Sequence, residues 1–396
     1  MRPFEGLRVL DLTHVFAGPF CTYQLAVLGA DVIKIEPVDN PDVMRIAGAD
    51  RKLNDEYYGL AFQAQSAGKR AIALNLKEPD GRAIFYDLVK TADVVVQNYT
   101  TGCLEELGLE YDKLKALNSK LIYCSINGFG RTGPKANDPA YDVVIQAFTG
   151  VMASTGEADA PPVRIGPPVI DYGTGAQAAM AISAALFGRE RTGEGRYIDV
   201  AMSDAALMLM TMNVVTAAGT GTAPLAHGNQ DPSNAGYSAY DTANGMIMLG
   251  AYTAKQYAGL MQVLGYNDIA AEVLEGGQNS LAGRCDCDAI LMSKILKEKS
   301  ADDWENLLNA QHVPAARVRT LDEALAHPQF ASRDVLQSIE GLTGARPIAA
   351  FSYDQGGPAP NGPPPHFAAD TRDILQELGV DDKQLADLAL RGVIAV

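Results

Sequence analysis

The sequence predicts an α/β protein, with a Rossmann-like parallel-sheet large domain and a smaller α+β domain. Three observations carry this expectation. Short β-branched runs alternate with helical segments opened by turn residues over the first hundred residues, and such alternation buries a parallel sheet between two layers of helices. A run rich in Gly, Ala and Thr, from Thr216 to Pro224, then breaks the pattern. The length of 396 residues exceeds one ordinary core and falls short of three.

In order along the chain, Arg8 to Leu12 reads as the first strand, Pro19 to Leu28 as a helix stopped at Gly29, and Asp31 to Glu36 as the second strand. Ala71 to Leu76 is expected as a third strand, Asp80 to Val89 as a helix, Asp93 to Gln97 as a fourth strand and Leu121 to Ile126 as a fifth. A long helix begins near Asp171, Tyr197 to Val200 forms a further strand, and another helix begins near Ser203. Beyond the break come a strand at Met246 to Gly250, a helix from Thr253 to Leu264, a helix containing Trp304 and a strand at Ala315 to Val318. The Pro/Gly stretch Gly356 to Pro365 leads to two terminal helices, Asp370 to Leu378 and Asp381 to Leu390. The expected organisation is a large domain over 1–215, a linker over 216–228, a small domain over 229–330, a return linker over 331–365, and C-terminal helices over 366–396 packing on the large domain.

A 47% apolar and 20% charged composition is that of a folded globular chain. The formal charge of -16 repels polyanions at long range, which argues against nucleic acid and anionic membrane as partners. No apolar run approaches the ~18 residues of a membrane span. Five cysteines without a CxxC pair, and an opening Met1-Arg2-Pro3-Phe4 without an apolar signal segment, imply a reducing cytoplasm. Cys285 and Cys287 have no Cys or His nearby at zinc spacing, so no metal is expected.

In doubly wound sheets, ligands bind beyond the carboxyl ends of the strands, where helix N-termini converge. Those loops contain Thr13 to Pro19, Asn75-Leu76-Lys77, Asn98 to Gly102 and Asn127 to Gly130. Glu36 at the end of the second strand imitates a dinucleotide fingerprint, but Gly18 stands alone behind Val15, Phe16 and Ala17 where G-x-G-x-x-G is needed. Walker A, HExxH and GxSxG are also absent from the sequence.

Taken together, these loops resemble one family, the class III CoA-transferases of the CaiB/BaiF type, which include the formyl-CoA transferases. The resemblance rests on Gly6 to Leu12 running into Ala17-Gly18-Pro19, Leu28 to Glu36, Gly68-Lys69-Arg70, and Ala92-Asp93-Val94 with Asn98-Tyr99. It continues through Gly128-Phe129-Gly130, Gly133-Pro134, Tyr141-Asp142, Thr192 to Arg196, His312 to Ala316 and Leu378-Gly379-Val380. It implies an interlocked, ring-like homodimer. It also implies coenzyme A and acyl-CoA as substrates, small carboxylic acids as partners, and no tightly bound cofactor.

The family's nucleophilic aspartate matches Asp171 in Pro167-Pro168-Val169-Ile170-Asp171-Tyr172-Gly173. By local sequence alone Asp171 reads as a helix N-cap, a position that would keep its carboxylate ionised at the positive helix end. The small residues Gly173, Thr174, Gly175, Ala176, Ala178 and Ala179 would let a helix and a second backbone approach closely. The related α-methylacyl-CoA racemases, the alternative function, carry a histidine directly before the aspartate that matches Asp142; here that position is Tyr141. A tyrosine with a pKa of ~10 is a poor α-proton base, so transfer is favoured over racemisation.

By the same resemblance Val15, Phe16 and Ala17 contact CoA, as do Leu74, Asn75 and Lys77 around the adenine, Asn98 and Tyr99 near the pantetheine or the phosphates, and Tyr141 and Asp142. His14, Tyr141 and the loop Gly228-Asn229-Gln230 are expected at the acyl substrate, the loop as the source of oxyanion-binding amides. Pro37 and Glu106 replace phosphate-facing arginines of the formyl-CoA enzyme, and Phe16 replaces its glutamine. Lys77 and Arg70 are candidates for the missing charge, and Arg45 and Arg51 for meeting a distal carboxylate.

Overall fold

The structure, a computed structural model, describes residues 1–333 and 335–396. The chain divides into two compact units, one of Met1–Val151, Arg164–Gly221 and Phe330–Val396, the other of Met152–Val163 and Thr222–Gln329.

The first unit is built on strands β1 (Arg8–Leu12), β2 (Asp31–Glu36), β3 (Arg70–Leu74), β4 (Val94–Gln97), β5 (Ile122–Asn127) and β6 (Tyr197–Ala201). All six are parallel, in the spatial order β3-β2-β1-β4-β5-β6. This is the doubly wound order, whose switch point lies between β1 and β4. The strands are apolar on both faces because both are covered. Leu10, Leu12, Ile33, Ile35 and Ile72 pack with Phe85 and Leu88 on one side. Val9, Val32 and Ile122 pack with Cys21, Leu25, Ala178 and Ile182 on the other. Alternation along each strand sorts the two sets, and each fully buried aliphatic side chain contributes roughly 1.5–3 kcal/mol.

Four short strands escape the sequence reading. β7 (Ala239–Asp241), β8 (Met246–Leu249) and β9 (Ala315–Arg317) form the antiparallel sheet of the second unit, and only β8 and β9 were expected. β10 (Leu336–Ser338) and β11 (Ala345–Pro347) pair inside the segment expected to be a return linker, burying Ile339 and Ile348 against Tyr23 and Val27. β12 (Ile394–Ala395) adds antiparallel to β3, at the edge of the large sheet. The segment read as a linker from Thr216 is instead the second half of a helix, Thr211–Thr220, closed by Gly221 at φ 73°. Its alanines favour a helix, and Gly221 supplies the left-handed residue on which that helix ends. Residues 152–163, expected in the large domain, belong to the second unit, where the Gly228 N–H donates to the Gly156 carbonyl at 2.7 Å.

Candidate active site

Four helices of the first unit frame the site: α1 (Ala17–Val27), α2 (Asp142–Thr149), α3 (Val169–Thr192) and α4 (Met202–Leu209). At the carboxyl ends of β1, β4, β5 and β6 a cavity of about 80 Å³ is lined by His14, Val15, Phe16, Ala17, Asn98, Ile126, Asn127, Gly128, Ala140, Tyr141, Asp171 and Met202. It is smaller than the ~300 Å³ of a site that encloses a whole ligand. It has room for a reacting group rather than for a coenzyme.

The loop after β1 is held from behind by buried polar side chains. Asp11 accepts hydrogen bonds from the Lys69 ammonium at 2.9 Å and from the Thr13 and Thr22 hydroxyls. Burial alone would raise the Asp11 pKa, but the charges of Lys69 and Lys34 and the two hydroxyls hold it at about 2. Lys34 donates to the Thr13 carbonyl at 2.8 Å and to Asp42 at 3.1 Å. Asp42 in turn accepts from the Val15 N–H at 3.2 Å, and the Gln65 amide donates to the Val15 carbonyl at 2.5 Å. These two contacts clamp Val15 at φ 66°, a left-handed conformation that is strained for a β-branched residue and clusters at functional sites. Asp42 and Gln65 carried no recognisable motif, and their part in the site emerges only in three dimensions.

Asn98 spends both ends of its amide on the His14 backbone, accepting from the N–H at 2.9 Å and donating to the carbonyl at 2.8 Å. These two bonds orient the loop after β1. Tyr99 packs its ring 5.2 Å from that of His14. Burial lowers the His14 pKa, which leaves its imidazole neutral at pH 7.

Asp171 is buried, with 7% of its surface exposed, in the first turn of α3. The N-cap of that helix is Pro168, which has no capping side chain. The sequence reading of Asp171 as its own cap is therefore corrected: the cap is Asp142, whose Oδ2 accepts from the Ile170 N–H at 2.8 Å and the Asp171 N–H at 3.1 Å. Asp142 is itself buried, so its carboxylate serves α3 rather than coenzyme A. The expected depression of the Asp171 pKa is also corrected. Burial, then the neighbouring Asp142 charge, push it up to about 7, opposed by a hydrogen bond from the Ala17 N–H. That N–H reaches Asp171 because α1 and α3 touch at Gly175, where a Cβ would lie 2.5 Å from the Ala17 carbonyl.

Several sequence candidates are not among the residues that line this cavity. Leu74 is a core side chain, while Asn75 and the exposed Lys77 sit beyond β3, outside this cavity. Asn75 is tied to the C-terminal strand by a 2.8 Å hydrogen bond from its N–H to the Val393 carbonyl. Arg70 pairs with Asp31 and Glu377 at the start of β3, the end of the sheet away from the cavity. Arg45 is fully buried against Glu36 at 2.7 Å and cannot meet a substrate. Gly228, Asn229 and Gln230 belong to the second unit. There the Gly228 N–H donates to the Gly156 carbonyl.

The chain matches the family model described as CoA-transferase family III over residues 4–371. It is 35% identical to the succinyl-CoA:mesaconate CoA-transferase of Haloarcula marismortui, over 96% of this chain and 98% of that one. It is 37% identical to the succinate–glutarate CoA-transferase of Agrobacterium fabrum, over 86% of each. A crystal structure of a CaiB/BaiF family protein from Brucella suis superposes with a TM-score of 0.82 at 30% identity, covering 95% of this chain and 99% of that one. This chain is thus a member of CoA-transferase family III, an enzyme class that moves coenzyme A between an acyl-CoA and a carboxylic acid.

Proposed function

We propose that Asp171 is the nucleophile of this chain, and that it carries CoA from a small dicarboxylyl-CoA such as succinyl-CoA to a carboxylic acid acceptor. The observation that carries this reading is the buried carboxylate of Asp171 lining the cavity at the sheet's switch point, touched by a backbone N–H from the first turn of α1. Its Oδ attacks the thioester carbonyl, forming a mixed anhydride and releasing CoA thiolate. The thiolate attacks the Asp171 carbonyl, forming an aspartyl-CoA thioester and expelling the donor acid as carboxylate. The acceptor carboxylate then attacks that thioester, and the freed thiolate takes the acceptor acyl group, which restores Asp171. Each step exchanges one acyl bond for another, so activation is conserved.

The intermediates survive only if water is scarce, and a narrow cavity closed by Phe16, Ile126 and Met202 serves that end. Neutral His14 and Tyr141, both of which line the cavity, orient the acyl carboxyl group in this reading. The dicarboxylate specificity is supported by what the relatives are named for: succinyl-CoA with mesaconate, and succinate with glutarate.

The test is incubation with succinyl-CoA and a panel of acids, with new acyl-CoA products read by mass. Asp171→Ala is expected to abolish transfer; retained transfer in that variant removes the nucleophile. Solvent deuterium entering the α-position of a 2-methylacyl-CoA without an acceptor would indicate the isomerase chemistry instead.

An interlocked homodimer is part of the same proposal. Met180 and Phe187 on α3, Met208 and Leu209 on α4, and Met212 and Val215 beyond it are each more than half exposed. So much apolar surface on one unit suits a protein interface. Light scattering is expected to give twice the chain mass, and a monomer overturns the assembly.

A further inference from the structure

The buried carboxylate of Asp142 faces the backbone of the proposed nucleophile's helix, whose own N-cap residue, Pro168, offers no capping side chain. We propose that Asp142 is a positioning residue that locks Asp171 at the start of α3 and drives it toward its acylated, uncharged forms. The inference rests on Asp171 being the nucleophile.

The geometry makes the two effects inseparable. Asp142 Oδ2 bridges the N–H groups of Ile170 and Asp171, while Oδ1 accepts from the Gln146 amide, whose own oxygen takes the Ile165 N–H at 2.9 Å. Both Asp142 oxygens are therefore committed, and the side chain is 5% exposed. A helix terminus can be capped by Ser, Thr or Asn without a charge. Here the cap is an ion, placed beside a second carboxylate.

Two carboxylates that share a site favour states in which one of them is neutral. Protonation neutralises Asp171, and so does acylation, because both the mixed anhydride and the aspartyl-CoA thioester carry no charge on that side chain. Asp142 thus raises the energy of the resting carboxylate relative to every covalent intermediate, and the same repulsion makes the carboxylate a more basic nucleophile. The other titratable groups on the elements packed around Asp171 are His14 and Tyr141 at the cavity, Cys21 and Tyr23 on α1, Asp204 on α4, and on α3 itself Tyr172 and, at its far end, Arg189, Glu190 and Arg191. None of them contributes a charge to the Asp171 shift, which arises from burial and Asp142.

The test uses Asp142→Asn in the full chain, with Asp142→Asn/Gln146→Glu as a second variant. In the single variant the new amide N–H₂ meets the Gln146 amide donor. In the double variant a Glu at 146 accepts from it and from Ile165, so the network stays satisfied while the charge moves away from Asp171. Two readouts are taken: the acidic limb of kcat/KM, and the fraction of chain trapped as a CoA adduct after acyl-CoA is added without acceptor. In the wild type the limb is expected near neutral pH. In both variants it is expected to fall by about one pH unit or more, with a severalfold smaller trapped fraction.

A purely structural cap predicts a lower melting temperature with limb and adduct unmoved, and that result overturns the proposal. A wild-type limb in the ordinary carboxylate range, which needs no variant to fold, overturns it as well. Asp171→Ala, run in parallel, separates the failures: if it still transfers CoA, the nucleophile assignment is wrong; if it is inactive while the limb stays put in both Asp142 variants, only the role of Asp142 is.

Discussion

Asp171 is kept in a place that suits its neutral form, and this has a consequence for stability that is independent of turnover. Its folded-state pKa of about 7 stands above the unfolded value near 3.8. Between those pH values the folded chain holds a proton that the unfolded chain has lost, so stability contributed by this group is complete below about 4. It is lost as pH rises through 7. At pH 8 the group therefore opposes folding, and Asp171→Asn, which cannot ionise, is expected to melt several degrees higher than the wild type. At pH 4 the two are expected to melt together. An equal difference at both pH values would show that the gain comes from packing rather than from removal of the charge. Functional groups held against their own preference are a common reason that active-site substitutions stabilise a protein.

At the scale of elements, the contact between α1 and α3 aligns the Ala17 N–H with Asp171, and it depends on Gly175. A methyl group there would meet the Ala17 carbonyl at 2.5 Å and the Cys21 nitrogen at 3.1 Å, both backbone atoms that cannot step aside alone. Gly175→Ala is therefore expected to cost about 1–3 kcal/mol in stability. It should also lower kcat by at least tenfold at a pH where Asp171 is ionised, through displacement of Ala17. Denaturant unfolding and initial rates check the two halves, and an unchanged kcat would show that the Ala17 contact is dispensable.

The small residues after Asp171 were legible in the sequence as a close-approach stripe, and the β1 to β6 runs were legible because buried parallel strands are continuous in Val, Ile and Leu. β7, β10, β11 and β12 were not, since strands of two or three residues have no period to detect. The Thr211–Thr220 helix was hidden by its glycine and threonines. Asp142 was recognised as important but given the wrong partner, because nothing in a chain shows that a carboxylate will turn to a helix that starts 27 residues later. Arg45 and Arg70 failed as substrate cations for a related reason: their acidic partners, Glu36 and Asp31, lie on the neighbouring strand β2, and sequence separation conceals that adjacency.

At the scale of the whole molecule, the first unit is assembled from three separate stretches of chain, and an element of the third stretch closes its sheet edge. β12 covers the open edge of β3, with Ile394 opposite Leu74, and it buries Val393 and Ile394 against the core that Ile374, Leu375 and Leu385 of the C-terminal helices also complete. Burying those two side chains contributes about 1.5–3 kcal/mol each, and an uncovered strand edge invites aggregation. The same strand anchors Asn75 through the Val393 carbonyl, in the loop whose resemblance points to adenine. Removing residues 392–396 is therefore expected to lower the melting temperature and promote aggregation on heating. It is further expected to raise KM for acyl-CoA more than it lowers kcat, because the truncation loosens the loop beyond β3 while leaving the Asp171 cavity, beyond β1 and β4, intact. A truncated chain that melts like the full one refutes the first half. A loss confined to kcat would mean that the Asn75 loop does not hold the coenzyme and that the C-terminal strand acts on the chemistry through the sheet.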